Sequence, residues 1–265
     1  ENYQIMEEIG RGAFGIVRLV QYTPTKELFA MKCLATNKMS KQQLQYINSE
    51  VTILTKLKHD NIITFHETFE ENKIFYIVME YADIGSLQDL IVKRQQANKP
   101  FWTGEINTIM SQIKSGLQYM HELKIIHRDL KPENIFICSQ GNRFKIGDFG
   151  VSKILSTLSQ AKTTVGTFAF SAPECFIEPN YSYKCDVWSL GVIYYYLVSG
   201  EYPFVGFDVM ELLKSVINSN YKRLEQSSIQ KLLDQVFVEQ KRRINLSEFN
   251  IEGDCIEVDT TLKYC

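Results

Sequence analysis

The sequence predicts an α+β chain of two lobes, a small antiparallel sheet with one helix and then a larger, mainly helical part. Three observations carry this expectation. Short β-branched and apolar runs, parted by polar turns, fill the first third of the chain, as strands joined in hairpins do. One stripe of apolar residues at helical spacing interrupts them. Beyond Gly85 the apolar residues recur mostly three and four apart, the period of helices packed on a core.

Taken in order, Gly10-Arg11-Gly12-Ala13-Phe14-Gly15 leads into Ile16-Val17-Arg18-Leu19-Val20. A glycine turn entering a strand is a hairpin whose backbone N–H groups can cover phosphates. The dinucleotide-binding alternative needs a helix after the glycines and an acid about twenty residues on; here a strand follows, and Lys32 stands at that distance. Leu28-Phe29-Ala30-Met31-Lys32 is the next strand, and a lysine among apolar neighbours is costly to bury unpaired. Leu44, Ile47, Val51, Leu54 and Leu57 then mark one face of a helix, with Glu50 on the same face. A Lys32–Glu50 ion pair answers both, although a surface Glu on an amphipathic helix is the plainer alternative. Ile62–Phe69 and Lys73–Met79 read as strands around a turn at Glu70-Glu71-Asn72. In the larger part, Ile106, Ile109, Ile113, Leu117 and Met120 form a helical stripe running to His121. Cys185 to Val198 is a strongly apolar helix, and Met210–Ile217 and Ile229–Phe237 are shorter ones.

The 265 residues suffice for one large domain or two lobes with a proper core. Apolar content of 45% and charged content of 23% are those of a globular chain. A net charge of −2 excludes the electrostatic footprint of a nucleic-acid binder, and Lys241-Arg242-Arg243 is too short to supply one. Cys33, Cys138, Cys175, Cys185, Cys255 and Cys265 form no C-x-x-C pair, so reduced thiols in the cytoplasm, or the nucleus, are expected rather than a disulfide or zinc framework. No apolar run approaches the roughly 18 residues of a membrane span, and no leader pattern is read. The chain opens on Glu1 rather than Met, as a domain of a longer protein would.

The most specific signal is His127-Arg128-Asp129-Leu130-Lys131-Pro132-Glu133-Asn134, followed across a short apolar hairpin by Asp148-Phe149-Gly150. Acid, base and amide converging in this way suit the holding of Mg²⁺ and a polyphosphate beside a hydroxyl nucleophile. Mg²⁺ takes hard oxygen ligands and shares itself between one or two carboxylates and substrate phosphates. Asn134 and Asp148 fit as its ligands, Asp129 as acceptor of the hydroxyl proton, and Lys131 as counter-charge to the transferring phosphoryl.

On these motifs the chain resembles the eukaryotic protein kinases. Lys131 with Gly166-Thr167 resembles the serine/threonine type, and Asn134 to Ile137, Lys145 to Gly150 and Lys153 to Thr167 look most like NIMA-related kinases. Calcium/calmodulin-type and autophagy-initiating kinases are the alternatives. The resemblance implies a bilobal kinase domain, with residues 3–81 as small lobe, 82–249 as large lobe and 250–265 as a tail that matches nothing. It implies ATP-dependent transfer to Ser/Thr hydroxyls of protein substrates. Gly10, Gly12 and Gly15 would cover the phosphates, and Lys32 with Glu50 would position them. Val17, Ala30 and Phe136 would sandwich adenine, Glu80 to Ala82 would read its edge, and Met79 would gate the back pocket. By the same resemblance Leu54, Phe65, His127 and Phe149 stack, Asp186 ties the catalytic-loop backbone, and Glu174 pairs with Arg243. Arg128 would receive a phosphate on Thr163, with Thr164 second, placed by an upstream kinase or by trans-autophosphorylation, and Thr167 would contact Asp129 and Lys131. Val151 implies a threonine preference. Phe168-Ala169-Phe170-Ser171 departs from the family's peptide platform. A scaffold that had lost catalysis would lack one of Lys32, Asp129, Asn134 or Asp148, and all four are present.

Overall fold

The computed structural model describes residues 2–261 apart from 13–14, 37–38, 41–46, 48–50, 52–54, 140–141, 149–167 and 178–181. β1 (Tyr3–Gly12), β2 (Gly15–Tyr22), β3 (Leu28–Ala35), β4 (Phe65–Glu71) and β5 (Ile74–Glu80) make one antiparallel sheet in the order β1-β2-β3-β5-β4. Side chains alternate across it, as a period of two requires. On one face Leu34, Phe75 and Ile77 are buried with Ile47 and Val51, and Phe65 and Met79 pack beside them. On the other, Val20, Met31 and Val78 lie under Tyr3, Phe29, Phe69 and Tyr76.

Two expectations shift. The strand predicted from Ile62 begins at Phe65, and Ile62 instead bridges Ile146 in parallel, joining this sheet's entry to the larger part. The β4–β5 turn falls on Asn72 and Lys73, with φ of 51° and 62°, the left-handed pair that suits the twist of a two-residue hairpin. Of the helix expected around Glu50, Ile47 and Val51 are helical among the described residues; Leu44, Glu50 and Leu54 lie outside them.

The larger part holds α1 (Leu87–Gln96), α2 (Thr103–Glu122), α3 (Glu174–Ile177), α4 (Lys184–Ser199), α5 (Val209–Ile217) and α6 (Ser227–Val236), with a small sheet of β6 (Gly85–Ser86), β7 (Ile135–Cys138) and β8 (Arg143–Ile146). α1 has no counterpart among the predicted elements, yet its start is written locally. The Ser86 hydroxyl accepts the Asp89 N–H while the Asp89 carboxylate accepts the Ser86 N–H, a reciprocal cap. α4 is apolar on every side and buried from Cys185 to Leu197, so it forms the axis of the core. Ile109, Met110, Ile113, Leu117 and Met120 of α2 lie fully buried in the same core as α4. Among the described residues no helix is long and apolar enough to cross a membrane.

Candidate active site

The first three glycines form the end of the β1–β2 hairpin, with Gly12 opposite Gly15. Gly15 is required by a close approach: a Cβ there would stand 2.2 Å from the Cys33 carbonyl oxygen on β3. Cross-strand register then sets Val17 beside Lys32, and Ala30 between Leu19 and Met79. The sheet thereby places the hairpin, Lys32 and the end of β5 on neighbouring strands.

Below it, the loop that carries the His127–Asn134 octapeptide is anchored from α4. Asp186 is buried, and its carboxylate accepts the backbone N–H groups of His127 and Arg128 at 2.9 Å each, and meets His121 Nε2 at 2.9 Å. Burial pushes this carboxyl up, but the His121 hydrogen bond, the neighbouring histidines and the backbone donors outweigh it and hold it below its ordinary range. Arg128 is thereby kept at φ 70°, a left-handed conformation that costs a non-glycine residue and persists only where its surroundings impose it. His127 Nδ1 accepts the Asp129 N–H at 3.3 Å, which assigns the ring proton to Nε2, and that nitrogen donates to the Gly147 carbonyl at 3.1 Å.

The predicted catalytic residues meet here. Asn134 Nδ2 donates to the Asp129 carbonyl at 2.8 Å and to Asp129 Oδ2 at 3.1 Å. Lys131 Nζ lies 3.1 Å from the same oxygen. The Gly147 N–H donates to the Asn134 carbonyl at 2.9 Å, which fixes the end of β8 against the loop. Asp148 follows at φ 50° and receives Lys32 Nζ at 2.5 Å. Phe136 on β7 faces the same strand end: a Cβ at Gly147 would stand 2.8 Å from its ring. Glu50, Phe149, Thr163, Thr164 and Thr167 lie outside the described residues, as does the expected Lys32–Glu50 pair.

A clamp at the end of β5 carried no sequence signal. Glu80 pairs with Lys145 Nζ of β8 at 2.6 Å, and its carboxylate accepts the Thr64 N–H at 3.0 Å. Burial raises the Glu80 carboxyl, but Lys145 and the Thr64 N–H outweigh this and hold it low. The Glu80 N–H donates to the Thr64 carbonyl at 2.8 Å, so that donor is committed within the fold. Asp83, further along, accepts the Ser139 N–H at 2.8 Å.

Further out, Glu174 and Arg243 form a buried bidentate pair at 2.5 and 3.1 Å. The remaining guanidinium donors go to the carbonyls of Val236, Lys184 and Val238. Every N–H of the group is thus satisfied, the condition under which burying this charge is tolerable.

The chain belongs to the protein kinase domain family, which matches residues 3–251. It is 37% identical over 226 residues to Myosin light chain kinase A of Dictyostelium discoideum, covering 84% of this chain and 75% of that protein. It is 33% identical over 241 residues to serine/threonine-protein kinase Nek5 of Homo sapiens, covering 89% and 34%. With serine/threonine-protein kinase Nek1 of Mus musculus the identity is 33% over 243 residues, covering 89% and 20%. The chain therefore spans about a third or less of the two Nek proteins. The fold and these relatives define a bilobal serine/threonine protein kinase, using ATP with a divalent metal and acting on protein substrates.

Proposed function

We propose that the cluster around Asp129 is the phosphoryl-transfer site and that its metal is Mg²⁺, held by Asn134 and Asp148. The observation that carries this reading is the Lys32–Asp148 contact. It joins a cation from the small sheet to a carboxylate beside Asp129, Lys131 and Asn134, so both signs of charge stand where a polyphosphate and its counter-ion need them. The residues fit Mg²⁺. Both Nδ2 hydrogens of Asn134 are spent on Asp129, which leaves its Oδ1 as the atom it can offer a cation, and Asp148 offers a carboxylate. Two protein oxygens suit an ion that keeps waters and takes phosphate oxygens. Among the described residues no three His, Cys, Asp or Glu form a fuller cage. When bound, the metal supplies charge neutralisation on the phosphate oxygens.

The chain's residues do the rest by position and electrostatics. The Gly10–Gly15 hairpin covers the phosphates and Lys32, with Glu50, orients them. Val17, Ala30 and Phe136 hold the adenine, with Met79, Glu80 and Ala82 along its edge. Asp129 accepts the proton of the attacking hydroxyl, and Lys131 balances the moving charge. Residues 3–81 and 82–249 act as the two lobes. Phosphate on Thr163, or Thr164, placed by an upstream kinase or in trans, docks on Arg128 and switches the enzyme on, with Thr167 bracing Asp129 and Lys131. The site of action is the cytoplasm, with the nucleus as alternative, and the acceptor preference is threonine.

The test is an ATP–Mg assay on a degenerate Ser/Thr peptide library, with mass spectrometry of the enzyme's own phosphosites. Threonine-directed transfer and phosphate on Thr163 are expected. Serine preference overturns the acceptor reading, and a Thr163→Ala enzyme of full rate overturns the switch.

A further inference from the structure

Three buried polar side chains of the larger lobe, Arg94, Glu105 and Asn107, find partners in the segment past the family match. Residues 252–259 run along α2 as an extended strap. Asn107, 1% exposed, donates through Nδ2 to the carbonyls of Glu252 and Asp254 at 2.9 and 3.1 Å. Gly253 between them has φ +101°, a turn open to glycine that aims both carbonyls at one amide. The Thr108 hydroxyl donates to the Ile256 carbonyl at 2.6 Å, and the Ile256 N–H donates to Gly104 at 3.2 Å. Gly104 admits this approach, since a Cβ there would stand 2.8 Å from the Ile256 side chain. At the far end, Arg94 and Glu105 form a buried bidentate pair at 2.9 and 2.5 Å. The peptide of Asp259 adds one acceptor and one donor, its carbonyl accepting from Arg94 at 2.9 Å and its N–H donating to Glu105 at 3.1 Å. Unmet donors and lone pairs of a buried ion pair are costly, and the strap meets one of each here, so it is integral to this face.

The strap also reaches the β7–β8 hairpin. The Val258 carbonyl accepts Asn142 Nδ2 at 2.7 Å, and Val258 is buried in the main core. Asn142 sits in the β7–β8 turn at φ 48°. Its carbonyl accepts Gln112 Nε2 at 3.3 Å, while Gln112 Oε1 accepts the Phe144 N–H at 2.9 Å. β8 then runs through Ile146, whose N–H donates to Asn61, into Gly147 and Asp148. We propose that the 252–259 strap is a positioning element of the kinase site, acting through Asn142 to set the β7–β8 hairpin and with it Phe136 and Asp148. The proposal rests on the assignment of those two residues to the nucleotide site.

The test keeps the full chain. Asn107→Ala with Thr108→Val weakens the strap's hold on α2, and Asn142→Ala cuts its link to the hairpin. Both are expected to speed amide exchange in Ile135–Ile146 and to raise the KM for ATP by about 3- to 10-fold, as the loss of one or two hydrogen bonds implies, with kcat within about twofold. Ser111 Oγ lies 3.9 Å from Cys255 Sγ on the strap, so Ser111→Cys, oxidised onto Cys255 in the double-variant background, is expected to restore both readouts. The proposal is overturned if melting temperature falls while hairpin exchange and KM keep their parent values, or if the oxidised link restores neither. Exchange is read without nucleotide, so it stands apart from the site assignment, which Asp148→Asn tests by turnover.

Discussion

At the scale of single residues, the candidate site is held by groups outside the octapeptide itself. Asp186 supplies both acceptors for the His127 and Arg128 N–H groups. Asp186→Ala would orphan one buried donor, the His127 N–H, at about 1–3 kcal/mol, and a part-buried one, the Arg128 N–H. It is therefore expected to lower the melting temperature and to lose turnover together, measured by calorimetry and a peptide assay on one preparation. Gly147 is as tightly bound to its place. A methyl there meets Phe136 at 2.8 Å and Ile63 at 2.9 Å, an overpacking of about 1–3 kcal/mol. Gly147→Ala is expected to weaken nucleotide binding more than it slows transfer, which titration calorimetry with a non-hydrolysable ATP analogue would show.

At the scale of elements, ion pairs join segments far apart in the chain. Arg243 ties α3 to the segment after α6, its guanidinium 4.8 Å from the Trp188 ring, and a lysine has neither the fork nor the plane for this. Arg243→Lys is expected to cost about 3–5 kcal/mol, as breaking a buried pair does, read as a shift of the urea midpoint. Lys145–Glu80 links β8 to β5 by the same logic over a smaller reach. These elements differ in how far they can be read from sequence. β2, β3, α2 and α4 announce themselves by local period. The α1 start was written in Ser86 and Asp89, which a search for capping pairs would have found. Lys145 and Glu80 are 65 positions apart and no local pattern links the one to the other, so only the folded chain shows the clamp. The strap likewise has no period, because it is held through its own backbone carbonyls, which accept from side chains of α1, α2 and the β7–β8 turn.

At the scale of the whole molecule, the acids that hold it together share one sign. Glu80, Glu105 and Asp186 all have carboxyls held below their ordinary range; burial opposes this in each, and their donors prevail. A group whose folded pKa is depressed stabilises above its unfolded value and loses that contribution as pH falls through the folded one. Stability is therefore expected to be level near neutrality and to fall steeply below about pH 4, the ordinary carboxylate range; a urea midpoint unchanged between neutrality and pH 3 would contradict this. The catalytic octapeptide was legible because Asp129, Lys131 and Asn134 crowd into one short loop, and its chemistry follows from residue types. Its anchoring by Asp186 was legible through the family resemblance, and Asp186 does accept the His127 and Arg128 N–H groups; the Gly147 contacts with His127 and Asn134, which reach the loop from the end of β8, carried no local pattern. The central claim is that this assembled cluster transfers phosphoryl groups through Asp148 as a metal ligand. Its most direct test is single-turnover transfer from ATP–Mg to a Ser/Thr peptide by purified Asp148→Asn. A loss of about a thousandfold or more, on the scale of removing one preorganised charge, with the melting temperature unchanged, is the expected result. Turnover within about tenfold of the parent, less than one such group is worth, would contradict it.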